Sequence, residues 1–269
     1  MARTTRATPS ASPATDLAMI QRVLKAGFLA GLVVGLAVAV LQHFTTSQLI
    51  LQGEVYEKAA HDHRAGLNSP ALPIVFVHDH STSAAATDPE EEDEGWQPAN
   101  GWQRITATSV ATIGTSIGYA LILIAAMLAA GVSIVPRTAL LWGIAAFAAT
   151  SLAPALGLSP ELPGSAGAPL LSRQIWWVLT ALCTGGGIFL LARIEYTTAK
   201  IVGVVLILAP HIIGAPHTPK FKSTAPAELA AQFAATSLVV SAVLWALLGL
   251  AVGYAWQRVA RSQTVPVPA

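Results

Sequence analysis

Two identical His-Asp-His triplets are the segments of this sequence best suited to binding a cation. They contain four of the chain's seven histidines: His61, His63, His78 and His80. An acidic run, residues 88–94, follows closely. Imidazole suits first-row transition metals and carboxylates add negative charge, while an acidic run raises the local cation concentration. The segment therefore predicts a loop that captures a divalent cation; a solvated spacer with incidental histidines is the alternative.

A second group of possible ligands flanks long apolar segments. His43 lies in "LQHF", Glu54 and Glu57 lie in "EVYEKAAH", and His211 and His217 lie in "PHIIGAPH". Polar groups at membrane depth are costly and usually face a bundle interior or an aqueous cavity. We expect His43, Glu54, Glu57 and His211 to converge on one metal site, with His217 as a reserve ligand. For His211, a simple interfacial anchor is the alternative.

The motifs of common enzyme and cofactor sites are missing from the sequence. It has no P-loop, no H-E-x-x-H pattern and no nucleophile elbow. The one cysteine, Cys183, lies in an apolar run, and the formal net charge of +1 gives no nucleic-acid signature. We therefore expect a protein that is not an enzyme and carries no cofactor other than a bound or transported metal.

The elements that must position these residues are membrane helices. The chain is 54% hydrophobic and only 11% charged, whereas soluble domains are about 25% charged. A membrane helix needs about 20 mostly apolar residues, and six segments approach that length: 23–50, 107–135, 138–158, 175–192, 200–215 and 234–256. The expected fold is an all-α polytopic bundle of about six helices. The fifth segment is short and contains Pro210, so five spans are the alternative.

Loop charge predicts the topology. With the N-terminus inside, nine Lys and Arg residues fall inside and six outside, which agrees with the positive-inside rule. All seven histidines then reach the outer side. We expect cytoplasmic tails at 1–20 and 259–269, a transmembrane domain at 21–258 with an outer loop at 51–105, and a location in a bacterial cytoplasmic membrane. The first apolar segment is interpreted as a retained helix, not a cleaved signal peptide, because no small-residue cleavage site follows it.

Two further patterns indicate packing within the bundle. Small residues four apart allow close helix contact, and the sequence repeats this spacing at Gly27/Gly31/Gly35, Gly114/Gly118 and Gly249/Gly253. Glu161 and Arg173 flank a turn-rich segment, where a structural ion pair is the simpler interpretation.

Several blocks of the chain resemble, in order, the CbtA family of cobalt transporter subunits over roughly residues 20 to 256. They include "LILQGEVYE", "GWQPANGWQR", "APALGLSPELPG", "RQIWW" and "PHIIGAPH". The resemblance implies cobalt uptake linked to cobalamin biosynthesis, and a small one-helix partner subunit of the CbtB type with a histidine motif. Besides this subunit, the expected partners are membrane lipid and the divalent metal ion, with no nucleic acid.

Two functions remain open at this point. The first is a divalent-metal permease, for which cobalt is favoured by the resemblance alone, since affinity orders place nickel above cobalt. The second is a non-transporting capture or assembly subunit that delivers metal to a separate permease.

Overall fold

The computed structural model describes residues 13–68, 98–165, 167–218 and 223–264, which are almost entirely helical. This confirms the expected all-α membrane bundle. The helices are α1 (Pro13–Phe44), α2 (Thr46–Asn68), α3 (Trp102–Ala129), α4 (Pro136–Ala155), α5 (Leu170–Arg193), α6 (Thr197–Ile213) and α7 (Ala227–Thr264).

Five of these helices are long and apolar enough to cross a membrane, namely α1, α3, α4, α5 and α7. The fifth predicted apolar segment, 200–215, forms α6, whose 17 residues extend for about 26 Å. That length is slightly below the roughly 30 Å hydrocarbon core. Each of the six predicted apolar segments therefore contains a helix, and α6 is the short one, as its proline-interrupted sequence indicates.

The first apolar segment ends earlier than the sequence predicts. Helix α1 stops at Phe44, and Thr45 separates it from α2. The Thr45 hydroxyl donates to the Leu41 carbonyl at 2.6 Å, a side-chain bond that competes with regular helical bonding. The start of the expected outer loop is thus helical, because α2 buries Leu49 among Leu162 and the first turns of α7.

The core is formed by α1, α3, α4 and α7, and glycines allow their close approach. A Cβ at Gly31 would lie 2.3 Å from the Cα of Ile117, and one at Gly249 would lie 2.5 Å from the Ala139 carbonyl oxygen. Gly27 and Gly35 on α1, and Gly253 on α7, make similarly close approaches, which confirms both predicted stripes. The prediction that Gly114 and Gly118 form a helix-packing stripe is wrong within this chain. A Cβ built at either glycine has no described neighbour within 4 Å, because α1 packs on the Ile113/Ile117 side of α3.

Helices α5 and α6 form a separate pair. Gly187 and Gly203 bring their backbones together, and α5 meets the rest of the bundle mainly through the π-helical part of α4, Ala148–Leu152. In the described part of the chain α5 stands apart from α7. This separation opens a cavity between α4, α5 and α7.

The helix order places the ligand candidates at one end of the bundle. The glycine contacts show that α1 and α3, α4 and α7, and α5 and α6 are antiparallel pairs. The C-termini of α1 and α6 therefore lie at the same end as the N-termini of α3, α5 and α7. We call it the histidine end, because His43 and His211 occupy the last turns of α1 and α6.

Candidate functional site

His43 lies in a small corner cavity between α1, α2 and α3. The cavity has a volume of about 350 Å³ and is also lined by Gln48, Arg104 and Ser109. The His43 ring packs edge-on against Phe44 with centroids 5.1 Å apart, and its carbonyl accepts a hydrogen bond from Gln48 at 3.1 Å. The corner therefore holds one imidazole among neutral polar groups and one arginine.

Glu54 is held by Arg104 at the edge of the same corner. Arg104 Nη1 donates to Glu54 Oε2 at 2.9 Å, and Nη2 donates to Oε1 in a two-pronged ion pair. These hydrogen bonds hold the pKa of Glu54 below the usual value of a glutamate. A metal ion at Glu54 must displace the guanidinium. The partnership was missed at the sequence level, where Arg104 counted only as loop charge, because the two residues are 50 positions apart.

The Glu54–Arg104 pair predicts an acid-dependent contribution to stability. The folded-state pKa of Glu54 lies below the unfolded value of about 4.3. The contribution is therefore complete above that unfolded value and is lost as the pH falls through the folded pKa. We expect Glu54→Gln to lower the free energy of unfolding by about 1 kcal/mol at pH 7, and by progressively less in acid.

Thermal unfolding of the purified chain between pH 3 and 7 measures this effect. Glu57→Gln is the matched control, because Glu57 packs over Gly164 and no ion pair is recorded for it among the described residues. Equal melting shifts for the two variants at pH 7 would contradict a stabilising Glu54–Arg104 pair.

The remaining predicted ligands are distributed over the histidine end. The His211 ring meets Trp176 edge-on with centroids 6.2 Å apart, and His217 lies in the segment that follows α6. His61 and His63 belong to the last eight residues of α2, 61–68, of which the backbone alone is described, and His78 and His80 lie outside the described residues.

A ready-made metal site is not formed by the described residues. Among the described side chains, which do not include those of residues 61–68, no three His, Cys, Asp or Glu residues gather closely enough to hold an ion. Glu54 faces Arg104 on α3, whereas His211 faces Trp176 on α5. The convergence of His43, Glu54, Glu57 and His211 on one ion therefore stays a prediction.

A larger cavity lies between α4, α5 and α7. Its volume is about 740 Å³, and its mostly apolar lining includes six hydroxyl or amide side chains: Thr150, Ser151, Ser159, Gln174, Ser237 and Ser241. Ser237 and Ser241 are one helical turn apart on α7, so they share a face. Sequence reasoning missed this cavity. The only signal was small hydroxyl residues inside apolar runs, and these do not reveal which helices face one another.

An ion pair lies at the histidine end of this cavity. Arg173 Nη2 lies 3.0 Å from Glu161 Oε2, and each side chain is about one-third exposed. The pair anticipated from the sequence is thus present. Because both residues line the cavity, they are its only formal charges among the described lining residues, and their charges cancel.

The π-helix of α4 forms one wall of the cavity. Pro154 has no N–H to bond the carbonyl of Thr150 four residues earlier, and the helix widens over Ala148–Leu152. The side-chain hydroxyl of Thr150 donates a hydrogen bond to the Ala146 carbonyl at 2.8 Å. Single-turn π-helices occur frequently at functional sites, so this irregularity and the polar lining coincide in one place.

Two buried hydroxyl groups on α5 have no hydrogen-bond partner among the residues that the structure describes. They belong to Thr180 and Thr184, which are 0% and 4% exposed and lie outside the cavity lining. They lie on either side of the midpoint of α5. By contrast, the buried hydroxyl of Ser116 donates to a carbonyl of its own helix.

The unpartnered groups form one line along α5. The indole N–H of Trp176 is also buried, without a partner among the described residues, so three polar groups repeat at intervals of four residues on one helix face. An unsatisfied polar group in hydrocarbon costs several kcal/mol. The line begins beside His211 and runs toward the middle of the helix; water would satisfy all three groups, whereas a cation would bind only the hydroxyl oxygens of Thr180 and Thr184.

One of the comparisons with known proteins found a match. The family model described as "Probable cobalt transporter subunit (CbtA)" matches residues 20–257, which is most of the chain. No curated protein and no solved structure matches the chain.

Proposed function

The chain belongs to the CbtA family of probable cobalt transporter subunits, and on this premise we propose that it conducts divalent cobalt through the cavity between α4, α5 and α7. The observation that carries this proposal is a 740 Å³ cavity whose wall includes a π-helix and several hydroxyl side chains, together with two further buried hydroxyls on α5, one of the helices that bound it. Transporter sites are typically found near the bilayer midplane beside irregular helices.

Metal capture is the first step of the proposed route. His43, His211 and His217 lie at or beside the histidine end, and α2, which leads into the His-Asp-His segment, begins there. His61, His63, His78 and His80, with the acidic run, would concentrate cations at the entrance. Glu54 and Glu57 belong to this capture set, although Glu54 must exchange Arg104 for the ion.

Entry into the cavity is the second step. The volume is ample for a hydrated ion, because a liquid water occupies about 30 Å³. The ion competes with Arg173 for the carboxylate of Glu161, the one acidic side chain among the described cavity residues. Displaced Arg173 reaches solvent, since a third of its side chain is already exposed. The histidine end of the cavity therefore selects for cations whose binding to the Glu161 carboxylate is stronger than that of the Arg173 guanidinium.

Passage past the middle of α5 is the third step. Ser237 and Ser241 supply neutral oxygens in the cavity, and Thr180 and Thr184 supply them beyond it. Neutral oxygen ligands exchange readily with water, so the ion is not trapped by them. None of these groups distinguishes cobalt from nickel. The choice of cobalt, its use in cobalamin biosynthesis and the one-helix partner subunit rest on family membership.

A capture subunit that does not transport is the second candidate function. It is favoured by one observation: in the part of the chain that the structure describes, histidines gather at one end, while no group of three metal ligands lies among the helices. Such a subunit binds cobalt at the histidine end and passes it to a separate permease.

Cobalt entry into proteoliposomes tests the proposal. We expect the purified chain, alone or with its partner subunit, to give saturable entry that quenches a fluorescent chelator trapped in the lumen. Protein-free liposomes provide the background rate. Cobalt binding by the chain without entry in either preparation would reject the permease and support the capture subunit.

A further inference from the structure

The end of the bundle opposite the histidines carries a basic pocket that metal conduction does not use. Arg22 on α1 and Arg261 on α7 line a cavity of about 500 Å³. Arg258 and Arg261 line a neighbouring cavity of about 480 Å³, and Gln257 contributes to both. We propose that this pocket binds the phosphate group of an anionic phospholipid headgroup.

Arg22 is held in place by Trp256. The guanidinium lies 4.0 Å from the centroid of the indole ring, and Nη2 donates to the Trp256 carbonyl at 3.4 Å. The Nε–H of Arg22 is buried, and no partner for it lies among the described residues. Guanidinium groups bind phosphate through paired N–H donors and stack well on aromatic rings. Stacking on Trp256 therefore orients Arg22 and leaves its Nη1 donors for a ligand.

The charge of the pocket favours an anion. Among the described residues that line the two cavities, three are arginines and none is Asp or Glu. Asp16 lies nearly two turns before Arg22 on α1 and lines neither cavity. Ser133 and Gln257 add neutral hydrogen-bonding groups to the first cavity.

The depth of the pocket fits a lipid headgroup. The apolar part of α1 has 29 residues and is about 44 Å long, which exceeds the roughly 30 Å hydrocarbon core. Arg22, six residues into this segment, therefore lies near the level of the headgroups. Tyr254 and Trp256 lie nearby on α7, and such aromatic residues are typical of the membrane interface. Basic pockets between helix ends bind phosphate-bearing headgroups in the same way.

Lipid binding to the purified full-length chain tests the inference by native mass spectrometry, with phosphatidylglycerol and phosphatidylcholine as probes. We expect preferential binding of phosphatidylglycerol. A basic residue near the surface contributes about 1 kcal/mol, so Arg22→Gln and Arg258→Gln should each weaken that binding about fivefold. Lys200→Gln is the matched control, because it removes one positive charge at the same end of the bundle, outside both cavities.

Two outcomes would overturn the proposal. The first is equal binding of the two lipids; the second is unchanged phosphatidylglycerol binding in both arginine variants. Arg258 is exposed, so its variant tests the site even if loss of the Arg22–Trp256 contact impairs folding. A separate experiment adds inorganic phosphate to the lipid-bound chain. Displacement of the lipid by millimolar phosphate would show that the pocket prefers free phosphate to a lipid headgroup, and would reject the proposal. Cobalt entry is measured independently and does not depend on this site.

Discussion

Replacing Thr180 and Thr184 together by valine is expected to lower cobalt uptake at least tenfold without loss of folded protein. Each valine keeps the shape of threonine and removes one hydroxyl. Uptake falls because a desolvated ion loses two oxygen partners near the middle of α5, and each such group contributes about 1–3 kcal/mol in a buried site. Two groups together therefore correspond to a factor of ten or more in rate.

The thermal stability of the double variant is not expected to fall with its uptake. Neither hydroxyl has a partner in the described part of the chain, so burying it costs free energy, and valine removes that cost. We expect the melting temperature of the double variant to equal or exceed that of the unmodified chain. Reduced uptake with undiminished stability distinguishes a role in conduction from a role in folding.

Ser116→Ala is the control for this experiment. Ser116 is fully buried and lies outside the cavity lining, and its hydroxyl bonds a carbonyl of its own helix. Uptake should stay within about twofold of the unmodified chain. Normal uptake by the Thr180/Thr184 variant, at equal abundance in the membrane, would place the route elsewhere in the bundle.

Replacing Gly31 by valine is expected to prevent stable packing of α1 on α3. The first added carbon would lie 2.3 Å from the Cα and 2.6 Å from the backbone N of Ile117. Backbone cannot rotate away as a side chain can, so the helices must separate. Overpacking typically costs about 1–3 kcal/mol, and separation also exposes buried neighbours such as Ala30 and Val34. We expect about 3 kcal/mol of destabilisation and little folded protein.

The matched control is the same substitution at Gly118. Gly118 belongs to an equivalent small-residue pattern on α3, but nothing described lies within 4 Å of its missing Cβ. Membrane abundance and thermal unfolding in detergent measure both variants. Comparable losses at Gly31 and Gly118 would contradict the packing face assigned to α3.

The sequence alone determined the helical membrane fold and its main segments. Hydrocarbon accepts only backbones that bond within themselves, so long apolar runs are sufficient to predict helices, and all six runs contain one. The glycine stripes of α1 and α7 were also predictable, because a repeat every four residues lies on one face. The predicted chain crosses the membrane an even number of times between His43 and His211, so both residues were expected at the same end of the bundle.

Tertiary structure alone decided which face of each helix meets a neighbour. Gly31 and Gly118 carry the same pattern, yet of the two only Gly31 has a described neighbour within 4 Å of its missing Cβ. The pairing of Glu54 with Arg104, the gap between α5 and α7 and the unpartnered hydroxyls of Thr180 and Thr184 were likewise invisible in the sequence. The physical reason is that periodicity fixes a helix face only relative to its own axis. Rotation and separation of helices depend on how side chains far apart in the chain fit together.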